Sequence, residues 1–109
     1  MWNKPNKQDL AIVPKLYANE KAGTGIKETI IYLHFFIAGC DWYVAEYDGD
    51  DIFFGFANLH DPVNAEWGLI SFDQLKIINM GGVEVDRDLY WTVRKAIEVE
   101  GIKKCQRHW

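Results

Sequence analysis

Four carboxylates stand close together at Glu46, Asp48, Asp50 and Asp51, and converging carboxylates bind divalent cations and activate water. A calcium loop needs Asp-x-Asp/Asn-x-Asp/Asn-Gly followed by a distant Glu. Asp48-Gly49-Asp50-Asp51 puts the glycine in the wrong place. The metal reading is therefore rejected, and the cluster reads as a solvated hairpin tip whose charges blunt aggregation. A second group, Asp86-Arg87-Asp88, precedes Leu89-Tyr90-Trp91. A guanidinium fork between carboxylates and beside aromatic rings suits the anchoring of a peptide or nucleotide. The plainer reading is a helix entrance, with an aspartate as cap and Arg87 tying the loop to Glu84 or Glu66.

Nucleophilic catalysis needs a base beside the nucleophile. The imidazoles are His34, His60 and His108, and the candidate nucleophiles include Cys40, Cys105 and Ser71. His34 is expected on a strand face with its ring hydrogen-bonded. Cys40 precedes Asp41, a setting that raises a thiol pKa and weakens the nucleophile. No Gly-x-Ser-x-Gly elbow, phosphate loop or Cys-x-x-Cys spacing is present, so both cysteines read as reduced thiols, and no cofactor or metal is expected. The five Trp, five Tyr and six Phe include the residue types that dominate interface hot spots, although core packing accounts for most such rings.

These groups need elements to hold them. Glu28 to Ile70 is rich in β-branched and aromatic residues divided by turns, which predicts strands over 28–37, 41–47, 52–58 and 66–70. Asp48-Gly49 marks a hairpin, and a four-residue loop pairing Tyr47 with Ile52 avoids setting Glu46 opposite Asp51. One face then carries Tyr43, Ala45, Tyr47, Ile52, Phe54 and Phe56, the other Trp42, Val44, Glu46, Phe53, Gly55 and Ala57. Trp42 stands over Gly55 or Ala57. Apolar residues on both sides of the first strand require helices, loops or a partner chain to cover both faces.

Ser71 and Gln74 have capping-box spacing for a short helix over 71–78. Asp86 or Asp88 would cap a second helix over 89–100, ended by Gly101, with Leu89, Val93, Ala96 and Ile97 on its apolar stripe. Leu10 to Tyr17 is apolar but broken by Pro14, which allows an edge strand or a short helical turn, and 19–25 reads as a mobile glycine-rich loop.

With 109 residues, the chain should bury roughly two-thirds of its unfolded surface in one core. A single domain over 1–109 is expected, with 1–9 and 102–109 as flexible tails. Twelve Lys and Arg against sixteen Asp and Glu give −4 and a pI near 5.3, which disfavours general nucleic-acid binding. The charged, proline-containing start lacks the apolar core of a signal peptide. The longest apolar run, 29–40, is well short of the roughly 20 residues that span a bilayer. A cytoplasmic, non-membrane protein is expected.

The segments Pro14-Lys15-Leu16-Tyr17-Ala18-Asn19-Glu20, Trp42-Tyr43-Val44-Ala45-Glu46-Tyr47-Asp48-Gly49-Asp50-Asp51 with Phe53-Phe54-Gly55, Glu66-Trp67-Gly68-Leu69-Ile70-Ser71-Phe72-Asp73-Gln74-Leu75, and Glu84-Val85-Asp86-Arg87-Asp88-Leu89-Tyr90 resemble a family of small bacterial proteins. That family is catalogued only as a domain of unknown function and is common on phages, plasmids and integrative elements. The similarity runs from about Ile12 to Trp91, and Trp-Tyr-x-x-Glu-Tyr-Asp and Arg-Asp-Leu-Tyr are its most specific pieces. Asp86 stands where the family usually has Glu, and the charged segment after Trp91 looks like an extension. The resemblance implies a mobile-element setting and carries no activity or catalytic residue.

The sequence thus predicts an α+β domain: a meandering, mainly antiparallel sheet of four or five strands with a short helix and a C-terminal helix. Its expected role is a non-enzymatic interaction module binding a host or phage protein through an aromatic and acidic surface. The alternative is a small enzyme or nucleotide-binding domain with a pocket formed by Trp42, Glu46, Arg87 and Asp88, and a homodimer hiding one sheet face is a third possibility.

Overall fold

The computed structural model describes residues 1–106 and 109. Its centre is a five-stranded antiparallel sheet built from β2 (Leu33–Ile37), β3 (Cys40–Tyr47), β4 (Ile52–Leu59), β5 (Glu66–Ser71) and β8 (Asp86–Arg87), in the order β5-β4-β3-β2-β8. Four of these strands form the expected meander. Between β5 and β8 the chain passes through helix α3 (Phe72–Ile77) and a small hairpin of β6 (Asn79–Met80) and β7 (Val83–Glu84). It returns to the far edge, where β8 pairs antiparallel with β2.

Two hydrophobic clusters cover the two faces. Leu33, Phe35, Trp42, Val44, Phe53 and Ile70 pack against Phe72 and Leu75 of α3 on one side. Ile31, Tyr43, Ala45 and Phe56 pack against Ala96, Val99 and Ile102 on the other. The chain covers both faces itself, so the two-sided apolarity of its strands does not require a second copy. No helix of the described residues is long and apolar enough to cross a membrane.

The expected faces hold along β4 and as far as Ala45 on β3, beyond which Tyr47 changes sides. A bulge between Val44 and Glu46 leaves Ala45 extra, so Tyr47 pairs with Phe53, not Ile52, and Glu46 with Phe54. With a side-chain period of two, one inserted residue moves everything beyond it to the other face. Tyr47 therefore packs with the Trp42 cluster. Gly55 makes the bulge possible, since a Cβ there would lie 1.9 Å from the Tyr43 carbonyl oxygen. Trp42 stands opposite Ala57. The first strand is broken in a similar way at Tyr32, which separates β1 (Ile30–Ile31) from β2 and puts Ile31 and Leu33 in different clusters.

Ser71 caps α3 as its spacing predicts, its side chain accepting from the Gln74 amide. The predicted helix over 89–100 does not form. Leu89, Tyr90 and Val93 are exposed, because Asp88 closes a turn by accepting from the Tyr90 amide at 3.0 Å. The β-branched Thr92 and Val93 then lead into β9 (Arg94–Lys95), which pairs with β1. Helical turns come later, as a 3₁₀ turn at Ala96–Glu98 and α4 (Glu100–Lys103). Gly101 lies within α4 and does not end it, because it passes over the Tyr43 ring where a Cβ would meet the phenol oxygen at 1.9 Å.

The segments expected as flexible tails are tied to the body at identifiable points among the described residues, which exclude 107 and 108 of the second tail. Trp2 donates to the Val85 carbonyl, the Met1 ammonium meets Glu84, and Ile102 is fully buried. Helix α1 (Lys7–Ala11) starts at an Asn6–Asp9 capping box, and helix α2 (Ala18–Ala22) occupies most of the stretch expected as a loop.

Candidate functional site

The four residues singled out from sequence do not form one pocket; each serves a different junction. Trp42 is buried in the first cluster. Glu46, also buried, accepts from the Tyr17 amide at 2.8 Å and from the Asn19 amide and side chain at 3.1 and 2.6 Å. Together with the Tyr47 amide on the Pro14 carbonyl, these bonds fasten the entrance of α2 to β3. Arg87 reaches neither Glu84 nor Glu66; its Nε donates to the Asn3 carbonyl and its Nη1 lies 3.4 Å from Asp9. Asp88 turns to His34.

The hairpin-tip carboxylates do more than face water. Asp48 Oδ1 accepts from the amides of Asp50, Asp51 and Ile52 at 2.8–3.0 Å. Those backbone donors, that of Asp50 foremost, hold its carboxyl below the ordinary Asp value. Asp51 accepts from Ser71 Oγ at 2.9 Å and the Asp73 amide at 2.6 Å, which locks the start of α3 onto the tip.

A cluster invisible in the linear sequence surrounds His34. Its Nε2 lies 2.7 Å from Asp41 and its Nδ1 3.1 Å from Asp88. Tyr43 stacks on the ring at 4.6 Å, with Phe36 and Trp91 at 5.6 and 5.3 Å. Both ring nitrogens are thus engaged with carboxylates of the chain itself. Burial first, and the Asp41 carboxylate second, push the Tyr43 phenol well above its ordinary value, so it is not a proton carrier near neutrality. The Cys40 thiol is raised by burial and then by Asp41, as its place before an acid predicts. The signal in sequence was the period of two: Tyr43 lies opposite His34, and Asp41 two residues before it on the same face. Asp88 could be added only by knowing that the chain returns beside β2.

The other feature is a groove at the open edge of the sheet. About 380 Å³ lies between α3 and the sheet, lined by Trp42, Ala57, Gly68, Gln74, Leu75 and Ile78 among others. Below it, Ala57 of β4 and Gly68 of β5 are small. Gly55 and Gly68 are paired, Ala57 pairs with Glu66, and a Cβ on Gly68 would meet nothing within 4 Å. A smaller hollow of about 270 Å³ shares Ala57, Leu59 and Glu66 and adds Asp61 and Asn64. The charged side chains lining the two are Glu66 and Asp61, both acidic. Hydrogen bonding from the Asn64 side chain, foremost, holds the Asp61 carboxyl below its usual range.

Among the described residues no group of His, Cys, Asp and Glu is placed to hold a metal ion. Comparison with protein-family models, with curated proteins and with solved structures found no match.

Proposed function

We propose that this chain is a non-enzymatic protein-interaction module, acting in the cytoplasm on a host or phage protein. The observation that carries this reading is the apolar groove with its acidic rim beside an open strand edge. Such a concave apolar surface suits one or two anchoring side chains of a partner. Leu59, two residues beyond Ala57 on the same face of β4, extends it at 60% exposure. The charged residues that could have formed a catalytic set are instead engaged with backbone amides or with one another. The mobile-element setting rests on the motif resemblance at Trp42–Asp51 and Arg87–Tyr90.

The test is affinity capture with the tagged full chain from lysate of a phage-carrying bacterium, beside a Leu59→Asp variant shown to be folded by circular dichroism. One protein retained in stoichiometric amount by the wild type and lost by the variant is expected. A chain that retains nothing, while a metabolite screen reveals a turned-over small molecule, refutes the proposal.

A further inference from the structure

The two edges of the main sheet are unequal. At β8 the edge is two residues long, and Trp2 bridges to it at Asp86. At β5 six residues, Glu66–Ser71, pair with β4 on one side, while no backbone hydrogen bond of the described residues reaches the other. Proteins normally blunt such an edge with Lys, Pro, a bulge or a covering loop. β5 has neither Lys nor Pro, and its ladder with β4 runs without a register shift.

The groove lies beside this edge, on the face carrying Glu66, Gly68 and Ile70. We propose that β5 takes up an extended segment of a partner protein as a sixth strand, and that this segment carries an apolar side chain two residues from a Lys or Arg. This deepens the interaction-module reading and rests on it. An added strand would lie about 4.8 Å beyond β5, with alternate side chains about 7 Å apart on the groove face. One side chain then stands over the open space at Gly68, and the next on that face stands beside Glu66, with Asp61 close to the same hollow. Among the described residues the rim has no cation of its own, so an acidic segment meets only repulsion there. A second copy of this chain fits less well, since its β5 would bring another Glu66 and Asp61 to the seam.

The experiment is selection of a randomised dodecapeptide library, displayed on phage, against the full chain. The expected peptides carry apolar-x-Lys/Arg or its reverse and shift the amides of Glu66 to Ser71 in an NMR titration. They lose at least 10-fold in affinity to Glu66→Lys and to Gly68→Leu, which fills the groove from a position with room for a side chain. The Glu20→Lys variant, with the same charge change on exposed α2, keeps their affinity. Acidic peptides, or peptides indifferent to both β5 variants, overturn the strand-addition mode and leave the interaction reading standing on another surface. No enriched peptide at all counts against both. A wild-type dimer in light scattering that Gly68→Leu dissociates overturns the proposed occupant in favour of a second copy.

Discussion

Replacing Glu46 by alanine removes the acceptor that fastens the α2 entrance to the sheet. Tyr17 begins that helix with φ at 69°, in the left-handed region, a strained conformation for a residue with a side chain and one that persists only where its surroundings fix it. Here the fixing contacts are the Glu46 bonds to the Tyr17 and Asn19 amides. A hydrogen bond to a charged acceptor contributes about 1.5–3 kcal/mol, and an unsatisfied buried donor costs about 1–3 kcal/mol. Two backbone donors lose their partner, while the Asn19 side chain can turn to water, so the expected loss is about 3–5 kcal/mol. That is a large share of the about 5–15 kcal/mol typical of a domain. Glu46→Gln keeps the volume and one oxygen but turns an amide donor toward the same amides, for an intermediate loss of about 1–2 kcal/mol. Urea unfolding at pH 7 followed by tryptophan fluorescence measures both, and limited proteolysis should cut Glu46→Ala first within 15–25. A Glu46→Ala variant within about 1 kcal/mol of wild type, on the same scale of hydrogen-bond contributions, with that segment uncut, would refute the reasoning.

Gly55→Ala should cost about 1–3 kcal/mol, since the clash is with backbone at the bulge, whereas Gly68→Ala should be neutral or stabilise by up to about 1 kcal/mol; paired melting curves separate the two. His34→Phe keeps a ring on Tyr43 but removes the imidazole between Asp41 and Asp88. Denaturant titration should show a loss of about 1–3 kcal/mol that is partly recovered by adding Asp41→Asn. Because the Asp48 carboxyl is depressed in the folded chain, its contribution is complete above the ordinary Asp value of 3.8 and is lost as pH falls through the lower folded value. The stability gap between wild type and Asp48→Ala should therefore narrow in acid and stay constant from pH 5 to 7, as thermal melts across that range would show. The raised Cys40 thiol should react with a disulfide reagent at pH 8 more slowly than a free cysteine, and equal rates would contradict its burial.

Local chemistry made the meander legible. The β-branched and aromatic run from Ile30 to Ile70, Asp48-Gly49 at its tip and Ser71 with Gln74 at the start of α3 each act within a few residues, and the structure has strands and a helix there. Where a single residue interrupts a period, the pattern alone misleads: Ala45 shifts Tyr47 to the other face, and Tyr32 divides the first strand. The apolar spacing from Leu89 onward suggested a helix, but the stripe that is buried runs Ala96, Val99, Ile102. Asp88 is held by His34 and by its own turn, which delays the helical turns by about two.

Composition, the strand-forming stretches and the α3 cap follow from side-chain shape and near neighbours, and are legible without the fold. The position of His34 between Asp41 and Asp88, the hold of Glu46 on Tyr17 and the long open edge at β5 come from the assembled fold. The first and last depend on where the chain returns after leaving the sheet at Ser71, and the second on where the segment before β1 crosses β3; both paths are set by the packing of the two faces together, which no local pattern encodes.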